Sequence, residues 1–259
     1  MRALGRLGER TVIDTVEGIK RYLKRSDWIV SYETASAFLK TYLTKAPKTY
    51  NTQITNLRRF IRDFLQSPQD IVSFKMAPVD YMGRNLVLPT KSQMKLAFDA
   101  LKGNDAKTAF LFFATTGLRK NEILTLNIDK LNLETRAVIP QHFTRVKRSG
   151  ITFYSTETET WLKNYLSEGD AKEGTLFNFT YQKWSSLWKT ATKAAGIKIT
   201  PQVLRVWFSM EMGEQGIPDR FVDIFQGRAP RSVLAKHYTA KGIEMLKRIY
   251  ERANLDILK

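Results

Sequence analysis

Two arginines and a tyrosine stand where the chain could hold them still. Arg119 closes the apolar run of FATTGLRKNEILTL (113–126). Residues 105–116 are almost wholly apolar, and Gly117 is suited to end a helix with positive φ. Glu122 follows three residues later, where its carboxylate can hydrogen-bond the guanidinium or cap the local backbone. An arginine fixed in that way suits phosphate, because its planar fork reaches two nonbridging oxygens at once. The alternative is an Arg119–Glu122 pair with no further role. Arg205 lies in PQVLRVWFSMEM (201–212), between Val203, Leu204, Trp207, Phe208 and Met212, which together form a broad apolar face. Tyr238 falls one turn past Leu234 on a short predicted helix (230–239) that Val233 and Leu234 anchor, so its phenol can project. Phosphate chemistry at Arg119 depends on further cations and a nucleophile reaching the same place.

The bulk composition points toward a polyanion. Among 259 residues, 42 Lys and Arg face 25 Asp and Glu, a formal charge of +17. Each neutralised phosphate releases condensed counterions, so such an excess favours nucleic acid over a generic partner. The charge is spread over both halves, as on a folded surface gripping a duplex rather than a disordered arm. With no cysteine, disulfides and thiolate chemistry are excluded. With only His142 and His237, a histidine-rich metal cage is not expected. The first residues contain no apolar stretch of signal length, and no window approaches the roughly 18–20 apolar residues of a membrane span. The expectation is a soluble, cytoplasmic protein with no membrane partner.

The elements that must position these residues are mostly helical. Stretches 15–25 and 31–43 have helical periodicity, and in 49–66 Tyr50, Ile54, Leu57, Ile61 and Phe64 form one face. Arg58, Arg59 and Arg62 fall off that stripe and could meet DNA phosphates; a solvated basic face is the alternative. Linker signals begin near residue 66, with three prolines and one glycine before residue 90. The predicted organisation is a helical domain over 1–75, a linker over 76–90 and a larger domain over 91–259. In the latter, helices are expected at 91–102, 105–116, 156–167, 180–195, 201–215, 218–226, 230–239 and 240–255. Strands are expected in NLETRAVIP (132–140) and GITFYST (150–156), around the basic turn TRVKRSG. Trp184 and Trp188, a turn apart, read as core rather than as a base-stacking platform. The last helix puts Ile243, Leu246, Ile249 and Tyr250 on one face, able to pack on a neighbouring protomer or on its own domain.

The order of TGLRKNEILTL, a lysine in a hairpin turn, QVLR, GR and a tyrosine ten residues later resembles the tyrosine recombinases, the integrases of phages, plasmids and archaeal viruses. The resemblance runs along the whole chain. It implies a mainly α fold, with a small helical core-binding (SAM-like) domain and a larger mixed α/β catalytic domain with a small antiparallel sheet. It assigns the two arginines to Arg119 and Arg205, the hairpin lysine to Lys147 and the nucleophile to Tyr238. Arg145 and Arg148 flank the lysine and could face the DNA backbone. Two positions depart from the common pattern: Gln202 and Arg228 stand where the family usually has histidines, which leaves open how the tyrosine proton departs. His237 beside Tyr238 would point about 100° away on a helix.

The implied activity is site-specific cutting and rejoining of double-stranded DNA through a covalent 3′-phosphotyrosine, with no metal or other cofactor. Guanidinium groups of Arg119, Arg205 and Arg228 would stabilise charge on the phosphorus oxygens, supported by Gln202 and Glu122. Lys147 would protonate the leaving 5′ oxygen. The family further implies a C-shaped clamp on DNA and four protomers in the recombining complex, with a monomer or dimer when free. A scaffold that binds DNA without cutting it, and a topoisomerase-like strand nicker, are the alternatives.

Overall fold

The computed structural model describes residues 7–67, 73–79, 87–140, 150–168, 174–228 and 242–259. Lys147, Arg145, Arg148, His142, His237 and Tyr238, with the helix expected over 230–239, lie outside the described residues. The chain divides into two compact units, Met1–Asn85 and Leu86–Lys259.

In the first unit three helices form, α1 (Glu9–Arg25), α2 (Tyr32–Lys40) and α3 (Pro47–Arg58). Ser31 caps α2 by accepting from the Thr34 N–H while Thr34 returns the bond, and Pro47 opens α3 where its missing N–H is not needed. Tyr22, Phe38, Leu39, Ile54, Leu57 and Ile61 close the core. Gly18 allows α1 to meet α3: a Cβ there would lie 2.3 Å from the Asn56 side chain. The stripe read from the sequence holds through Ile61 and then fails. Arg59–Phe64 is a π-helical turn, whose wider winding rotates Phe64 out to 59% exposure. Ala77, in the stretch expected as linker, is held to α3. The Asn51 side chain donates to its carbonyl at 2.9 Å and accepts its N–H at 2.8 Å.

The second unit is built around α5 (Asn104–Thr116), buried from Ala106 onward except for Lys107. α4 (Lys91–Ala100) precedes it. The short helix α6 (Lys120–Leu124) follows, then α7 (Thr156–Ser167), α8 (Tyr181–Ala195), α9 (Pro201–Glu214), α10 (Asp219–Phe225) and α11 (Ile243–Glu251). Trp188 is buried against Phe113, edge to face at 5.3 Å, and Trp184 joins the same cluster. A second core gathers Phe153, Phe208, Met212, Phe221, Phe225, Leu246 and Tyr250. Leu246 and Tyr250 therefore pack on their own unit, and the Tyr250 hydroxyl donates to the Thr115 carbonyl at 2.7 Å.

The sheet is antiparallel in the order β1 (Leu131–Asn132), β2 (Ala137–Val138), β3 (Thr152–Phe153), pairing Leu131 with Val138 and Ala137 with Phe153. The single strand expected over 132–140 is instead folded over on itself. The Asn132 side chain accepts the N–H groups of Glu134 and Thr135, and Arg136 takes a left-handed φ of 58°, so the chain reverses inside the stretch. Among the described residues no helix is long and apolar enough to cross a membrane.

Candidate active site

α5 delivers Arg119 through a glycine that nothing larger replaces. Gly117 is left-handed, φ 63°, and a Cβ there would stand 2.5 Å from the Phe208 ring of α9. Leu118 is buried, and Arg119 then caps α6. Glu122 does both things its spacing allows. One carboxylate oxygen accepts the Arg119 backbone N–H at 2.7 Å, and the other accepts the guanidinium at 2.7 Å. The same guanidinium nitrogen also reaches the Gly227 carbonyl at 3.4 Å, 108 positions along the chain.

Arg205 comes from α9. It is 6% exposed, and its two terminal nitrogens donate to the carbonyls of Gly117 at 2.5 Å and Gln226 at 2.8 Å. The Gln226 side chain, wholly buried, returns a bond to the Arg205 carbonyl at 2.8 Å. No carboxylate pairs with Arg205 among the described ion pairs. Burial, then the Arg119 charge and more weakly that of Arg228, push its guanidinium down to about 10, with Glu122 opposing. It remains a cation at neutral pH. A buried cation satisfied by neutral carbonyls and repelled by its neighbours is a place where an incoming anion is favoured.

Gly227 ends α10 with φ 58°, and Arg228 follows it. The Arg228 backbone donates to the Asp223 carbonyl at 2.8 Å, and its half-exposed side chain pairs with the Asp223 carboxylate at 3.1 Å. One turn, residues 226–228, thus offers carbonyls to Arg205 and Arg119 and carries Arg228 itself. The returning strand of the hairpin lies against that turn: a Cβ on Gly150 would be 2.1 Å from the Ile224 carbonyl oxygen and 3.4 Å from Gly227 Cα. Thr152 fastens the strand to α5 by donating to the Thr116 carbonyl at 2.8 Å.

Of the other residues singled out in the sequence, Gln202 is exposed on the first turn of α9, one turn before Arg205. In the first unit Arg58 donates to the Phe74 carbonyl at 2.7 Å, Arg59 to the Thr15 hydroxyl at 3.1 Å and Arg62 to Asp63 at 2.6 Å. The structure adds two features that the sequence did not signal. One is Gln226, which reads as an ordinary last-turn polar residue until its contact 21 positions away is seen. The other is a cleft of about 780 Å³ lined by Lys120, Lys189, Lys193 and Lys198 beside Trp184 and the 81%-exposed Tyr181. Lys120 stands over the Trp184 ring at 4.9 Å. Three of the cleft lysines, Lys189, Lys193 and Lys198, lie within ten residues, and Lys120 joins them from α6, 69 positions earlier than Lys189.

The glycine at the head of the site gives a direct stability test. Gly117→Ala is expected to lower the unfolding free energy by about 3 kcal/mol, roughly 1–2 from the left-handed backbone and the rest from overpacking against Phe208. Urea denaturation should show a lower midpoint at an unchanged slope.

These positions fall inside a stretch with known relatives. The model of the phage integrase family matches residues 90–244. The tyrosine recombinase XerA of Saccharolobus solfataricus is 28% identical over 48% of this chain and 42% of its own length. XerA of Pyrococcus furiosus is 32% identical over 54% of this chain and 51% of its own. The chain therefore spans about half the length of the two curated relatives. Among solved structures, the Tn1549 transposon integrase in complex with circular intermediate DNA covers 98% of this chain and 96% of its own, at 16% identity and a TM-score of 0.66, a likeness of fold. Since the family model spans well over half of the 259 residues, this chain belongs to the phage integrase family.

Proposed function

We propose that the protein is a site-specific DNA recombinase that cuts and rejoins double-stranded DNA through a covalent 3′-phosphotyrosine. The observation that carries this reading is the buried Arg205, held by carbonyls with no carboxylate partner among the described residues, beside Arg119, with both guanidinium groups tied to the 226–228 turn. Such cations stabilise the charge that builds on the equatorial oxygens of a phosphodiester under attack, and their fixed orientation avoids reorganisation during the reaction.

In this mechanism Tyr238 gives up its phenolic proton to solvent and the phenolate oxygen attacks phosphorus. The P–O bond to the 5′ oxygen breaks, and Lys147 supplies the proton that the departing oxygen needs. Lys147 stands three residues before Gly150, a chain length of at most ~11 Å. The phosphotyrosine keeps the energy of the broken bond, so a 5′-hydroxyl from a second duplex reverses the step without ATP. The lysine-lined cleft beside Lys120 and the formal charge of +17 support a DNA duplex as partner, held by phosphate contacts. Arg58, Arg59 and Arg62 are assigned to the same backbone, as are Arg145 and Arg148. Exchange between two duplexes calls for four protomers on DNA.

A second reading is favoured by Gln202 and Arg228, which replace two imidazoles with groups unable to exchange a proton near neutral pH. It makes the chain a DNA-binding protein without cleavage. Covalent trapping on a nicked suicide duplex separates the two. The recombinase reading expects a protein–DNA adduct that survives denaturing electrophoresis. Tight, salt-sensitive binding with no adduct would install the second reading instead.

A further inference from the structure

We infer that Gln226 is a positioning residue that sets all three guanidinium groups against the substrate phosphate, an inference that rests on the recombinase reading. Gln226 is 0% exposed and lies between α10 and the turn carrying Gly227 and Arg228. Its contact with Arg205 is reciprocal: the Arg205 guanidinium donates to the Gln226 carbonyl at 2.8 Å, and the Gln226 amide donates to the Arg205 carbonyl at 2.8 Å. Each side chain thereby fixes the other's backbone. The next carbonyl, that of Gly227, takes Arg119 at 3.4 Å, and the residue after it is Arg228.

A hydrophobic side chain at position 226 would fill the same space between Phe225 and Gly227 and leave the turn free to shift relative to α9. With glutamine, the turn cannot move without breaking a buried bond at Arg205. Polar atoms in an apolar setting are retained where they specify an arrangement, because leaving them unpaired is costly. The Gln226 Oε1 is itself buried without a partner among the described residues. The amide N–H held on the Arg205 carbonyl is a buried polar contact that leucine would not make.

The test uses the full chain with Gln226→Leu, which keeps the volume, and Gln226→Glu, which keeps the shape but presents no N–H to the Arg205 carbonyl. Loss of one buried bond in Gln226→Leu should lower the melting temperature by only ~2–4 °C, whereas Gln226→Glu, which buries a carboxyl group against a carbonyl, should lower it further. Single-turnover cleavage of suicide DNA at saturating protein should fall roughly 10–100-fold in both variants, since a misplacement of about 1 Å has that effect. Duplex affinity, read by anisotropy, should stay unchanged, a split that a purely structural role would not produce. Orthovanadate serves as a second probe, independent of cleavage. It should raise the melting temperature of the wild-type protein, and this rise should shrink in Gln226→Leu as it does in Arg205→Ala. Cleavage at the wild-type rate by folded Gln226→Leu overturns the inference. So does a vanadate response in that variant equal to the wild type's, or none in the wild type. If the wild-type protein forms no adduct, the recombinase reading fails on that arm, and the vanadate arm still decides the role of Gln226.

Discussion

Tyr238→Phe should abolish the covalent adduct on suicide DNA while duplex binding persists. The change removes one oxygen and keeps the ring, so the packing of the short helix predicted over 230–239 has little reason to fail. A phenol with an ordinary pKa of about 10 is a weak nucleophile at neutral pH, and nearby cations favour its ionised form. The other tyrosines of the second unit offer a contrast. Tyr154 is buried, with its phenol pushed up to about 12 chiefly by desolvation. Tyr250 is also pushed up by burial, and its hydroxyl is committed to the Thr115 carbonyl. Tyr165 donates to the Leu176 carbonyl at 2.9 Å. Tyr181 alone of these four is well exposed, at 81%, and it lines the lysine cleft. Tyr181→Phe is therefore the control: its adduct should form as in the wild type. Adduct retained by Tyr238→Phe and lost in Tyr181→Phe would move the nucleophile and overturn the assignment.

What could be read in the sequence follows the range of the forces involved. α5 and α9 were legible because their helical signals are local: an apolar run closed by Gly117, and the broad apolar face of 201–212. The Arg119–Glu122 pair was legible for the same reason, since three residues separate them. The reversal within 132–140 was missed because one asparagine side chain outweighs the β-branched character around it. The π turn at Arg59–Phe64 was missed because an apolar stripe cannot distinguish a helix that continues from one that widens. Arg205 was seen as an arginine in an apolar face, but its partners, Gly117 and Gln226, lie 88 and 21 positions away. Convergence of that kind is a property of the packed cores, and short-range spacing does not encode it.

Arg205→Lys should reduce single-turnover cleavage by about 10³-fold, equivalent to about 4 kcal/mol of transition-state stabilisation. Charge is conserved in this change, so the loss isolates geometry. The guanidinium spends its two terminal nitrogens on the Gly117 and Gln226 carbonyls and is thereby held in one orientation. An ammonium is a point charge on a shorter reach and cannot span both carbonyls while meeting a phosphate. The substitution should also introduce a pH dependence. Burial and the neighbouring guanidinium groups hold Arg205 down to about 10. The same surroundings act on an ammonium whose ordinary value is only about 10.4, so the proton is lost at a lower pH than from the arginine. Residual cleavage by the variant should therefore fall as pH rises through the mildly alkaline range, where the wild-type guanidinium keeps its charge. Cleavage measured across that range, with duplex binding followed alongside, checks both parts. A variant cleaving at the wild-type rate would mean that positive charge alone suffices at this position. A flat pH profile would mean that the site does not press on the cation it holds.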